Sequence, residues 1–149
     1  MLFLTFELGT DRYVIDTHDV VEVLARAPLK AIPSAPDWVA GLLAYRGRTV
    51  PVIDLSALAL GRRASDSIST RMLVVNYDPE YWLGLIVERA SRTVRLDPEA
   101  FVPSGVDTPD ARWLGRVAHD ADGMLQWVRI EHLLPPEVHA SLFAQAHAS

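Results

Sequence analysis

Apolar and polar residues alternate in short runs along most of this chain, and the runs recur roughly every ten residues. Leu2 to Leu8 alternates and reads as a strand. Gly9-Thr10-Asp11-Arg12 is a turn, and Tyr13-Val14-Ile15 is the returning arm of a hairpin. Asp16-Thr17-His18-Asp19 suits a tight turn or one short helical turn. The β-branched run Val20-Val21-Glu22-Val23-Leu24 predicts another strand, more apolar than burial of one face requires. Either both its faces are buried, or one forms a protein-binding groove. Prolines at 28, 33 and 36 make the next stretch a loop. Residues 41 to 55, GLLAYRGRTVPVIDL, then hold a hairpin whose turn is Arg46-Gly47 and whose second arm carries Pro51. Proline has no N–H to give a central ladder, so that arm is expected at a sheet edge or at a bulge. Asp54 and Ser56 suit an N-cap for a short helix over Ala57 to Leu60.

Gly61 to Thr70, GRRASDSIST, is polar without a period and predicts an exposed loop. Beyond it the pattern predicts strands over Arg71 to Asn76, Tyr81 to Val87, Thr93 to Leu96, Trp113 to Ala118 and Met124 to Ile130. Pro135 to Ala148 suits a terminal helix. Many short strands without long crossover helices point to an all-β barrel or sandwich rather than a parallel α/β enzyme. The halves also echo one another. YVIDTHDVVEVL (13–24) and LGLIVERASRTVRL (83–96) share strand, acid (Asp16; Glu88), gap, strand. Residues 41–58 and 114–134 share glycine, strand, glycine turn (Gly47; Gly123), strand. The echo predicts a single domain over 1–149 made of two related small barrels on one core, with an internal boundary near 61–72.

Composition narrows the chemistry. A net charge of −5 and the lack of a basic aromatic strand face argue against a nucleic-acid partner. Absence of cysteine excludes disulfides and thiolate chemistry. No run approaches the roughly 20 apolar residues of a membrane span, and the N-terminus reads as a strand rather than a leader, so the expectation is a cytoplasmic protein without direct membrane insertion. His18, His119, His132, His139 and His147 show no metal-ligand spacing and read as surface residues; nucleotide-loop and nucleophile-elbow motifs do not occur. Asp16, Glu22, Asp54 and Glu88 recur at strand ends; the aspartates are read as caps rather than as an acid–base pair. Trp38, Trp82, Trp113 and Trp127 read mainly as packing, with Trp38 the most exposed. No catalytic residue, metal or cofactor is expected.

The order FELGTDRYVID, VVEVL, IPSAPDWVAGLLAYRGRTVPVIDL, LGLIVERASRTVRL and MLQWVRIEHLL resembles the CheW family of chemotaxis coupling proteins over about residues 2 to 134. The most specific part is the set Pro36, Gly41, Arg46, Gly47, Pro51, Val52, Asp54 and Leu55. The resemblance implies two intertwined five-stranded SH3-like β-barrels with short helices, including a C-terminal one. It also implies a non-enzymatic adaptor joining the cytoplasmic tips of methyl-accepting chemoreceptors to the regulatory domain of a CheA-type histidine kinase, recruited to membrane receptor arrays. The alternative is a free-standing SH3-like binding module of another signalling system. Carried over position by position, the partner contacts fall on Val20, Glu22, Gly41 and Arg46, with Glu22 and Arg46 expected to form an ion pair and Gly41 to admit a close backbone. Tyr45 stands where relatives often carry leucine. It is expected to choose the receptor, and its context suggests an alternative chemosensory pathway such as a Wsp-type surface-sensing system.

Overall fold

The computed structural model describes residues 1–144, the side chain of Ser91 excepted. Its strands are β1 (Leu2–Leu8), β2 (Asp11–Asp16), β3 (Val20–Ala25), β4 (Val39–Tyr45), β5 (Arg48–Asp54), β6 (Arg71–Asn76), β7 (Trp82–Arg95), β8 (Leu114–Asp120) and β9 (Gly123–Val128). Two helices, α1 (Leu55–Leu60) and α2 (Pro136–Phe143), follow the strand hairpins β4–β5 and β8–β9 in chain order. Residues 145–148 of the expected terminal helix lie outside the described residues.

Two runs expected as separate strands, 81–87 and 93–96, are one 14-residue strand, β7. It pairs with β6 from Trp82 to Val87 and with β1 from Glu88 to Arg95. Between Thr5 and Glu7 of β1 the register slips, leaving three residues of β7 opposite one, and Arg89 takes a left-handed φ of 50°. This bulge bends the strand, so its two arms enter different barrels. One barrel runs in the order β7 C-terminal arm, β1, β2, β9, β8; the other runs β3, β6, β7 N-terminal arm, β5, β4. Sharing β7 is how nine strands make two five-stranded barrels.

The internal echo has a structural meaning. In the first half, hairpin β1–β2 is followed by a crossing strand β3, then hairpin β4–β5 and a helix. In the second, β6 and the first arm of β7 are followed by its second arm, then β8–β9 and a 3₁₀ turn at Ile130–His132. Both halves make one parallel contact, β2 with β9 and β5 with β7. Both have an isolated bridge to the hairpin that follows, Lys30↔Leu42 and Val102↔Val117. The halves exchange strands: β1 and β2 join β8 and β9, while β3 to β5 join β6. The expected boundary near 61–72 therefore falls inside one barrel, where Gly61 to Thr70 links α1 to β6. It separates two halves of the sequence, not two barrels.

Burial explains why the halves stay together. Each barrel has a small interior: Phe3, Val14, Phe101 and Leu125 in the first, Leu43, Val50, Met72 and Ile86 in the second. A larger cluster lies between them and takes residues from both, including Phe6, Ile15, Ile53, Leu73, Leu83, Leu85, Trp113 and Leu133. Burying one such side chain contributes about 1.5–3 kcal/mol, so separating the barrels would forfeit most of the stabilisation of a domain this size. Helix α2 closes one end. Phe143 stacks on Tyr81 with ring centroids 4.3 Å apart, and His139 lies half-buried beside Tyr77, not on the open surface as expected.

Pro51 is accommodated by register. Leu42, its partner on β4, directs both backbone groups to Lys30 at 2.8 and 2.9 Å, and the ladder to β7 begins one residue later at Val52↔Gly84. No ladder bond is therefore required of the missing N–H.

A bidentate ion pair ties β2 to β8: both terminal nitrogens of Arg12 donate to the Asp120 carboxylate at 2.8 Å. The Arg12 bonds hold the Asp120 carboxyl down at about 2. Its folded value lies below the unfolded one near 3.9, so the stabilisation is complete above about pH 4 and fades as pH falls towards 2. Solvent screening keeps it at about 1 kcal/mol. Urea unfolding of Asp120→Asn is expected to show that deficit at pH 7 and little of it at pH 2; an equal deficit at both would refute this.

Candidate docking site

Strand β3 is an edge. It pairs with β6 on one flank and, among the described residues, with no strand on the other, and Val23 is 45 % exposed. The opposite edge of the same barrel is β4. No ladder joins β3 to β4, so the barrel has an open seam. The two alternatives for Val20 to Leu24 thus resolve into a half-buried edge strand. Val21 and Leu24 pack on the interior of the second barrel, and Val20 packs on the shared core.

The tip of hairpin β4–β5 reaches across this seam. The closing pair is Tyr45↔Arg48, and the two loop residues have φ of 48° (Arg46) and 74° (Gly47). Two positive φ values are what a type I′ turn requires. Glycine adopts them freely, whereas a side-chain residue pays about 1 kcal/mol. That strain accompanies a contact: Arg46 Nη2 donates to Glu22 Oε1 at 2.7 Å, and the Tyr45 hydroxyl donates to the same oxygen. The guanidinium also lies 5.0 Å from the Tyr45 ring centroid. Burial, and then the Glu22 bond, push the Tyr45 phenol up, further from ionisation than an ordinary tyrosine. Beside it, Arg48 stacks 4.0 Å over Trp82 and donates to the Glu80 carbonyl at 3.1 Å; Trp82 meets Tyr45 edge-on at 5.4 Å. Sequence reasoning passed over Arg48 and treated Trp82 as packing. The signal available was an arginine on either side of the turn glycine.

Of the five expected contact residues, Glu22, Tyr45 and Arg46 come together, and the expected Glu22–Arg46 ion pair is present. Val20 is half-buried, at the start of β3 beside a register shift. Two of the five are less open than a surface contact implies. Gly41 is buried, and the close backbone it admits belongs to this chain: with φ at +146°, a Cβ there would lie 2.5 Å from the Lys30 carbonyl oxygen. Tyr45 is only 8 % exposed, its ring packed in the barrel interior, so little of it is left to touch a receptor.

The strand-end acids are engaged structurally. Asp54 is 4 % exposed and caps α1: one oxygen accepts from Ala57 N–H at 3.1 Å, the other from Ala64 N–H at 2.9 Å. Asp16 caps the 3₁₀ turn Thr17–Asp19 through His18 N–H. At Glu88 burial opposes ionisation, but hydroxyl bonds from Ser56 and Ser65 prevail and hold the carboxyl below its ordinary value. Among the described residues no group of three or more histidines and acids could hold a metal ion, and no helix is long and apolar enough to cross a membrane. A groove of about 830 Å³ runs along the first barrel past Asp19, Val106, Leu114 and Trp127. Burial, followed by the charges of Asp16 and Glu131, pushes Asp19 up.

Fold and surface together define a two-barrel β docking module with an exposed edge strand and a charged clasp. Residues 2–137 match the CheW-like domain family, and the chain belongs to it. It is 30 % identical over 137 residues to the chemotaxis protein CheW of Klebsiella aerogenes, covering 91 % of this chain and 82 % of that one. It is 31 % identical over 101 residues to protein FrzA of Myxococcus xanthus, covering 68 % of this chain and 62 % of that one. The crystal structure of the scaffolding protein TtCheW from Thermoanaerobacter tengcongensis superposes with a TM-score of 0.81 at 26 % identity, covering 90 % of this chain and 87 % of that one.

Proposed function

We propose that this protein is a non-enzymatic adaptor that couples methyl-accepting chemoreceptors to a CheA-type histidine kinase. It works in the cytoplasm and is recruited to receptor arrays at the membrane. The observation that carries this reading is the family match over residues 2–137, which includes the docking edge and the hairpin tip. The geometry is consistent with it. A half-apolar edge strand beside a fixed charge pair offers both contact area and orientation, the two requirements of specific docking.

Reconstitution tests it. Kinase autophosphorylation is expected to come under receptor control only when this protein is added to receptor-bearing membranes and kinase, with the protein pelleting alongside both. Binding to neither the receptor tip nor the kinase regulatory domain would sink the adaptor reading and favour a free-standing binding module.

A further inference from the structure

The open seam between β3 and β4 has no backbone ladder, yet side chains of the hairpin tip tie its two edges together. There Glu22 Oε1 receives two donors from the hairpin tip, the Tyr45 hydroxyl and Arg46 Nη2. Oε2 has no partner among the described residues, and the Glu22 side chain is 38 % exposed. The first barrel has a matching seam between the second arm of β7 and β8. It is spanned by Arg92 and Asp122 at 3.9 Å, both largely exposed, without a second donor among the described residues. The hydroxyl is what distinguishes the tighter seam. A flexible arginine pairing alone with a surface glutamate leaves the carboxylate free to rotate. A hydroxyl on a ring packed in the barrel interior does not, because the ring itself cannot move.

We propose that Tyr45 is a positioning residue rather than a contact residue: its hydroxyl, with Arg46, locks Oε1 of Glu22 across the open seam and leaves Oε2 as the acceptor for a donor of the docked partner. Tyr45 then influences partner choice through the orientation of the Glu22–Arg46 pair, without touching the partner. The docking half of this statement rests on the adaptor reading; the locking half does not.

The experiment has two arms. In the free protein, Tyr45→Phe keeps the packed ring and removes only the hydroxyl. Hydrogen exchange is expected to quicken several-fold at residues 20–25 and at the β4–β5 tip and to stay unchanged in β1 and β2. Glu22→Gln produces the same local pattern, and the double variant adds nothing further. Unchanged exchange in Tyr45→Phe, or additive effects in the double variant, overturns the proposal. In the second arm, binding is measured to the receptor tip and to the kinase regulatory domain. Tyr45→Phe is expected to weaken the engaged partner about tenfold in wild-type background and scarcely at all in Glu22→Gln, because both variants disable one acceptor. A packing role alone would weaken binding equally in both backgrounds, and that result also overturns the proposal. If the unmutated protein binds neither partner, the adaptor reading fails while the exchange arm still decides whether Tyr45 locks Glu22.

Discussion

Replacing Gly41 by alanine is expected to lower the unfolding free energy by about 3–4 kcal/mol, a large part of the 5–15 kcal/mol typical of a domain. Two costs combine. The backbone at φ +146° disfavours any side chain, and the new Cβ would meet the Lys30 carbonyl oxygen at 2.5 Å. That oxygen is not a yielding neighbour, because it accepts the Leu42 N–H at 2.8 Å in the bridge that holds the proline-rich loop on β4. Gly47→Ala is the matched control. It also has a positive φ, 74°, but nothing lies within 4 Å of the added Cβ, so about 1 kcal/mol is expected. Equal shifts in the urea midpoint for the two variants would show that the collision does not govern Gly41. Loss of partner binding in a Gly41 variant would follow from this local damage alone.

Arg46→Glu is expected to have the opposite profile, with little effect on folding and a large effect on docking. The Glu22–Arg46 pair is exposed, 58 % on the arginine and 38 % on the glutamate, so its loss changes stability by no more than about 1 kcal/mol. The reversed charge places two carboxylates at the seam and pushes the hairpin tip away from β3. Partner affinity is expected to fall by about 2–3 kcal/mol, on the order of 30- to 150-fold. The swapped variant Glu22→Arg with Arg46→Glu restores opposite charges and is expected to recover part of that loss. Recovery will be incomplete because the Tyr45 hydroxyl no longer has a carboxylate at position 22. Titration calorimetry of the two singles and the double decides it; no recovery in the double would show that the pair does not act as a unit.

Much of the fold was legible along the chain because its determinants are local. Short apolar runs bounded by turn residues marked β1, β6 and β9; β6 is a continuous apolar run buried on both faces. Asp54 followed by a short apolar run marked the capped helix α1. Arg46-Gly47 marked the hairpin tip, and the Glu22–Arg46 pair followed from the family resemblance. Less legible was β7. The polar stretch Glu88 to Arg92 interrupts the apolar pattern, and only a bulge with Arg89 in the left-handed region lets one strand continue through it. The inward orientation of Tyr45 was hidden for a related reason. A tyrosine beside a turn looks exposed in sequence, but its alternation places it on the inner face of β4 with Leu43 and the inner face is buried.

By itself, the sequence determined most of the strands, the turns and caps between them, the repetition of one half in the other and the family to which the chain belongs. Each depends on neighbours a few residues apart, or on a pattern spread over the chain that needs no knowledge of contacts. The tertiary structure alone decided which barrel each strand enters, that β7 serves both, that Gly41 yields space to Lys30, and that Tyr45 turns inward to hold Glu22. Those outcomes depend on pairs such as Phe3 with Val94, Val52 with Gly84, and Glu22 with Tyr45, brought together by burial of a common core and invisible to any local pattern.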